Sequence, residues 1–144
     1  MSLLPTITTE GYTIQHRPDL RVLVLRWLHP QTLYETQESY QQLLTLAQEY
    51  GCPRWLLDGR RDGPLDVYTT HWLVGHFFPE AVRALAPARL CMAALSSQAR
   101  LEQLHTDAAV APAVQRALAP EQPYSTSVFL TEAEALAWLA AQPT

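Results

Sequence analysis

The sequence predicts one α/β domain: a mixed, mostly parallel sheet of about five strands that begins with an antiparallel hairpin, with about four helices packed against it. Three observations lead there. Short apolar runs alternate with longer runs of helical period, two of those longer runs open with the spacing of a capping box, and the prolines fall where elements should stop. At 144 residues the chain can bury roughly two-thirds of its unfolded surface around a single core. No internal repeat or linker-like stretch divides it.

Tyr12 to His16 and Leu20 to Leu28 read as two strands joined at RPDL, where Pro18 fixes φ and Asp19 favours a turn. In LRVLVLRWL, Leu23, Leu25 and Trp27 point one way and Val22 and Val24 the other, which places this strand inside the sheet. PQTLYETQESYQQLLTLAQEYG follows as a helix. Thr32 and Glu35 have capping-box spacing, Leu33, Tyr40, Leu43, Ala47 and Tyr50 share a face, and Gly51 supplies a left-handed C-terminal residue. After Pro53, RWLLD fits a buried parallel strand, with GRRDGPLD as the loop beyond it.

Thr69 or Thr70 is expected to cap the next helix, THWLVGHFFPEAVRALA. Pro79 lacks the N–H that a helix interior needs, so a kink or restart is expected there, with Pro79 at the first helical position. RLCMAAL, Arg89 to Leu95, is the next strand. Ser96 to Ala119 is helical in tendency and broken near Pro112. YSTSVFL, Tyr124 to Leu130, is the last strand, and TEAEALAWLAAQ the last helix, with Thr131 and Glu134 repeating the capping-box spacing. Alternating strands and helices build βαβ units with right-handed crossovers, so only the first hairpin should be antiparallel.

Composition removes several classes of function. The net charge of -4 speaks against a broad nucleic-acid footprint, which needs clustered positive charge. All ten basic residues are arginine, which excludes Schiff-base chemistry, a P-loop lysine and any lysine general base. Cys52 and Cys91 lie far apart and outside any C-x-x-C pair, so they read as free thiols. The start MSLLPTITTEGY has no basic segment followed by an apolar one, and no uncharged apolar run approaches the ~18 residues of a membrane span. A cytoplasmic location, with no membrane contact, no nucleic acid and no cofactor, is the expectation.

The strand ending in LLDGR and the close SVFLTEAEALAWL, taken with the order of elements, resemble the STAS family, named for sulfate transporters and anti-sigma-factor antagonists, and in particular its stand-alone bacterial members. The resemblance implies an STAS-like fold and a regulatory role in binding partner proteins without catalysis. It also implies a phosphorylatable Ser or Thr in a DSSG-like motif behind a strand-end aspartate. Asp58 occupies the aspartate position, but GRRDGPLDVY follows with no hydroxyl. Thr69 and Thr70 lie well beyond the usual βα loop of about two to six residues, so the usual phosphorylation switch is not expected. If it survives, it has moved to Thr69 or Thr70, at a positive helix N-terminus.

Asp58, Arg60, Arg61 and Asp62 should stand beyond the carboxyl end of a parallel strand, where ligands bind in open α/β sheets. Arginines there suit a carboxylate or phosphate, or an acidic partner surface; equally, they can pair with the flanking aspartates and keep a turn solvated. His71 and His76, five residues apart, are separated by roughly 140° on an α-helix, which does not suit a shared metal. The aromatic segment containing Thr70, His71, Trp72 and Phe77 is either core or a partner surface. No nucleophile–base signature is present. A response-regulator phosphoacceptor needs an acidic pair after the first strand and a late lysine, and both are missing. Two functions remain open: a non-catalytic STAS-like module that recognises a protein partner or a second copy of itself as a homodimer, and a small-anion sensor built on the Asp58–Asp62 loop.

Overall fold

Six strands lie side by side in chain order in the computed structural model, which describes residues 6–143. They are β1 (Ile7–Thr8), β2 (Tyr12–Arg17), β3 (Val22–Trp27), β4 (Arg54–Asp58), β5 (Cys91–Leu95) and β6 (Ser125–Phe129). β1, β2 and β3 pair antiparallel; β3, β4, β5 and β6 pair parallel. The α/β class, the opening hairpin and the parallel remainder agree with the sequence. β1 is an addition: two residues are too few to show a period, and its antiparallel pairing extends the hairpin to three strands.

The helices are α1 (Leu33–Tyr50), α2 (Val67–Trp72), a π-helical turn (Leu73–Phe77), α3 (Phe78–Leu85), α4 (Gln98–Thr106), α5 (Ala111–Ala117) and α6 (Glu132–Ala141). α2, the π-helical turn and α3 follow one another without a break, and the region after β5 divides into two short helices with Pro112 in the first turn of the second. The capping box at Thr32 forms as its spacing requires, the Thr32 hydroxyl accepting from Glu35 N at 3.2 Å and the Glu35 carboxylate from Thr32 N at 2.9 Å; at Thr131 the hydroxyl accepts from Glu134 N at 3.3 Å but donates to Glu134 Oε1 at 2.8 Å, so the side-chain cap forms without the reciprocal bond to the Thr131 backbone N–H. Gly51 closes α1 at φ 61°.

The helix after β4 starts earlier than its threonines indicate. Asp66 is the N-cap and accepts from Thr69 N at 2.9 Å, while the Thr70 hydroxyl turns back to Asp66 O at 2.8 Å. A carboxylate is as good a cap as a hydroxyl, and it comes first in the chain. Pro79 is the second residue of α3, not the first, and the helix neither stops nor restarts there: the π-helical turn just before it carries the chain past the proline without a break.

The period of two along the strands separates two apolar layers. Leu23, Leu25, Trp27, Trp55, Leu57 and Met92 face α1, the π-helical turn and α3. Val22, Val24, Leu56, Cys91, Ala93 and Leu95 face α6 through Ala135 and Leu139. Within the first layer the Trp27 indole donates to Ser39 Oγ at 3.0 Å, so its polar edge is not left unpaired. Leu33 and Tyr50, assigned to the buried face of α1 by spacing, lie at its two ends and are exposed; Thr36, Ser39 and Leu44 are buried instead.

Candidate functional site

The strand end at Asp58 delivers its loop to the carboxyl rim of the parallel strands, as the sequence requires, but its charges do not gather into one site. Asp58 continues the β4 alternation Arg54, Leu56, Asp58 and so faces the α6 side, directly beside its register partner Arg26. There it is buried and accepts from Arg26 Nη1 at 2.8 Å and from Arg60 Nε and Nη2 at 3.0 Å each. Arg26 also donates to Glu132 Oε1 at 2.6 Å, in the first turn of α6. Burial pulls the Asp58 carboxyl upward, but hydrogen bonds from Arg60 and Arg26 outweigh it and hold the group below the usual carboxylate range. Arg60 is thus committed to a fork around Asp58, while Arg61 is exposed and its side chain has no partner among the described residues.

Asp62 goes the other way. Gly63 at φ 82° turns the loop, and Asp62 lies under the opposite layer, accepting from Gln31 N at 2.8 Å and facing Arg100 Nη2 at 3.5 Å. Arg100 reaches in from the first turn of α4 and donates through Nη1 to Gly59 O at 3.3 Å. This approach needs glycine at 59, because a β-carbon there would collide with Arg100 Nη1. Burial raises the Asp62 carboxyl and lowers the Arg100 guanidinium, so each is pushed toward its neutral form despite the other. Arg100 Nε and Gln31 Oε1 are buried without a hydrogen-bond partner.

This pair forms the polar end of a cavity of about 180 Å³ between the sheet, α2, α4 and α5. Its other walls are mostly apolar, with Trp27, Leu57, Leu73, Val74, Phe78 and Val128 among them and Thr70, Ser96 and Thr126 adding hydroxyls. Tyr40 also lines it, with its hydroxyl pushed upward by burial. A half-open, mostly apolar hollow with a few convergent polar groups, at the carboxyl ends of parallel strands, has the form of a small-molecule site.

Of the residues singled out in the sequence, Asp62, Thr69 and Thr70 line this cavity. Asp58 and Arg60 do not; they belong to the ion-paired cluster on the α6 face. Phe77 is fully enclosed and Trp72 half-buried, stacked at 5.3 Å, both packed on Tyr40. Phe77 is therefore a core residue and unavailable to a partner. His71 and His76 are both exposed. The 140° between them assumed an α-helix, and the π-helical turn from Leu73 to Phe77 invalidates that assumption; among the described residues no group of three or more His, Cys, Asp or Glu forms a metal-binding cluster. Thr70 is buried and its hydroxyl is engaged, which leaves Thr69, itself bonded to Asp66 Oδ2 at 3.0 Å, as the more open of the two.

Arg26, Glu132, Gln31 and Arg100 were not singled out in the sequence, and Tyr40 only as part of a helix face. Only Arg26 carried a signal, as the polar residue on the Val22–Val24 side of an otherwise apolar strand. No family model, curated protein or solved structure matches this chain. No helix among the described residues is long and apolar enough to cross a membrane.

Proposed function

We propose that this chain is a non-catalytic, STAS-like regulatory module of the cytoplasm that takes up a small, mostly apolar molecule with a hydrogen-bonding head group in the cavity at the carboxyl rim of its sheet. The observation that carries this reading is the buried Asp62–Arg100 pair, with Arg100 Nε unpartnered, at one end of a mostly apolar cavity. A guanidinium edge left without an acceptor is costly in a buried place, and a ligand oxygen offsets that cost. The anion-sensing role first attached to Arg60 and Arg61 moves to Arg100, since Arg60 is already saturated by Asp58. Both cysteine thiols are buried and pushed upward by burial, which suits packing rather than attack on a substrate.

Titration with octanoate, octanamide and octane tests this reading, with intrinsic tryptophan fluorescence and thermal unfolding as readouts. A ligand that binds only the folded chain raises its unfolding temperature. Octanoate and octanamide are expected to bind and octane to bind more weakly, with the difference abolished in Arg100→Met. A flat response to all three in the folded wild type counts against the proposal.

A second reading rests on a different observation. Tyr34 and Tyr68, in the first turns of α1 and α2, are 73% and 72% exposed beside cavity-lining residues, a pattern that suits a protein partner reading the state of the cavity.

A further inference from the structure

Where the parallel strands begin, at the opposite rim, lies a larger cavity of about 450 Å³. Among the described residues its walls carry Arg21, Arg54, Arg89 and His16 and no Asp or Glu side chain, in a chain whose net charge is -4. Arg21 closes the turn between β2 and β3, Arg54 opens β4, and Arg89 stands just before β5. The hairpin and two neighbouring parallel strands thus bring three guanidinium-bearing residues to one hollow.

None of the three is neutralised among the described residues. Arg54 is only 8% exposed, and its Nη2 donates to a backbone carbonyl, that of Gln142, at 2.6 Å. Arg89 donates to Ser125 Oγ and to the carbonyls of Gln122 and Tyr124. Among the described residues the Arg21 side chain has no partner, and none of the ion pairs involves Arg21, Arg54 or Arg89. A nearly buried cation facing only neutral oxygens lacks the counter-charge that burial normally demands.

Arg21 adds an independent observation. Its φ of 57° is in the left-handed region, which an arginine adopts at a cost that glycine escapes. The Cys52 thiol donates to Arg21 O at 3.5 Å, fixing this turn to the cavity wall. Arg21 thus brings a guanidinium to this hollow on a turn that glycine would close at lower cost.

We propose that this hollow is a binding site for a small molecule carrying two or more negative charges, held by Arg21, Arg54 and Arg89. Guanidinium forks match the oxygens of phosphate and of paired carboxylates alike. His16, stacked on Tyr50 at 4.1 Å, forms a flat aromatic wall for the remainder of such a ligand. This site is distinct from the cavity at the carboxyl rim and does not depend on it.

Calorimetric titration of the full chain with pyrophosphate and with malonate, at fixed ionic strength, tests the site. Arg21→Gly is the decisive variant, because it removes one charge while relieving the backbone, so the fold is retained. Saturable binding at one site is expected, weakened about tenfold or more in Arg21→Gly and in Arg89→Gln. Tighter pyrophosphate assigns a phosphorylated ligand, and tighter malonate a dicarboxylate. No saturable binding of either anion, or wild-type affinity in both variants, overturns the proposal.

Discussion

Asp58 and Asp62 leave the same strand end and answer to different cations on opposite faces of the sheet, Asp58 to Arg26 and Arg60, Asp62 to Arg100. Alternation along β4 fixes the first, and the left-handed Gly63 turn redirects the second. The loop is therefore a divider between an ion-paired cluster that ties β3, β4 and α6 together and a cavity whose charged pair is incompletely satisfied.

Opposite linkage to pH follows. Asp58 sits below its ordinary range because hydrogen bonds from Arg60 and Arg26 outweigh burial, so its contribution to stability is complete above about pH 4 and is lost as pH falls through the folded-state value. Asp62 sits above its ordinary range because burial outweighs Arg100. The folded chain then takes up its proton before the unfolded chain does, and stability rises as pH falls through that raised value toward about 4. Urea unfolding between pH 7 and pH 3 is expected to show a reduced acid loss in Asp58→Asn and a missing gain on mild acidification in Asp62→Asn. Matching pH profiles for the two variants would show that the carboxylates share one environment.

Gly59→Ala tests the approach of Arg100. The new methyl group and the guanidinium cannot occupy the same space, so Arg100 must withdraw from the Gly59 carbonyl and from Asp62. A loss of about 1–3 kcal/mol is expected in urea unfolding, together with loss of the preference for octanoate over octane. Binding of pyrophosphate at the opposite rim should be unchanged. Retention of the head-group preference in a folded Gly59→Ala protein would remove Arg100 from the site.

What could be read in the sequence was local. Trp55 to Asp58 was legible because an apolar run stands between Pro53 and a charged glycine turn, and α1 and α6 because each threonine N-cap is satisfied within one turn of its own chain. The partners of those residues were not legible. Arg26 finds Asp58 through parallel register and Glu132 through the seating of α6, neither of which is encoded near any of the three. Arg100 sits in QARLEQLHT, which reads as a solvated helix, and only the packing of α4 against the loop turns its side chain inward. The N-terminal hollow was equally hidden, since Arg21, Arg54 and Arg89 belong to three separate segments of chain.

The π-helical turn gives the last test. Phe78 N donates to Leu73 O across five residues, so residues five apart come to lie over one another, and Trp72 stacks on Phe77 with 27° between their planes. In an unbroken α-helix those rings would point roughly 140° apart, and Pro79 would leave the carbonyl four residues back unpaired and crowded. One extra residue resolves both problems, and Gly75, exposed with nothing within 4 Å of a β-carbon built on it, is the residue that can be spared. Deleting Gly75 is expected to restore α-helical register and place Pro79 in a helix interior, at a cost of about 3 kcal/mol. Pro79→Ala alone should change stability little, and combined with the deletion it should recover most of the loss, as read by urea unfolding. A Gly75 deletion as stable as the wild type would show that Pro79 does not require the π-helical turn.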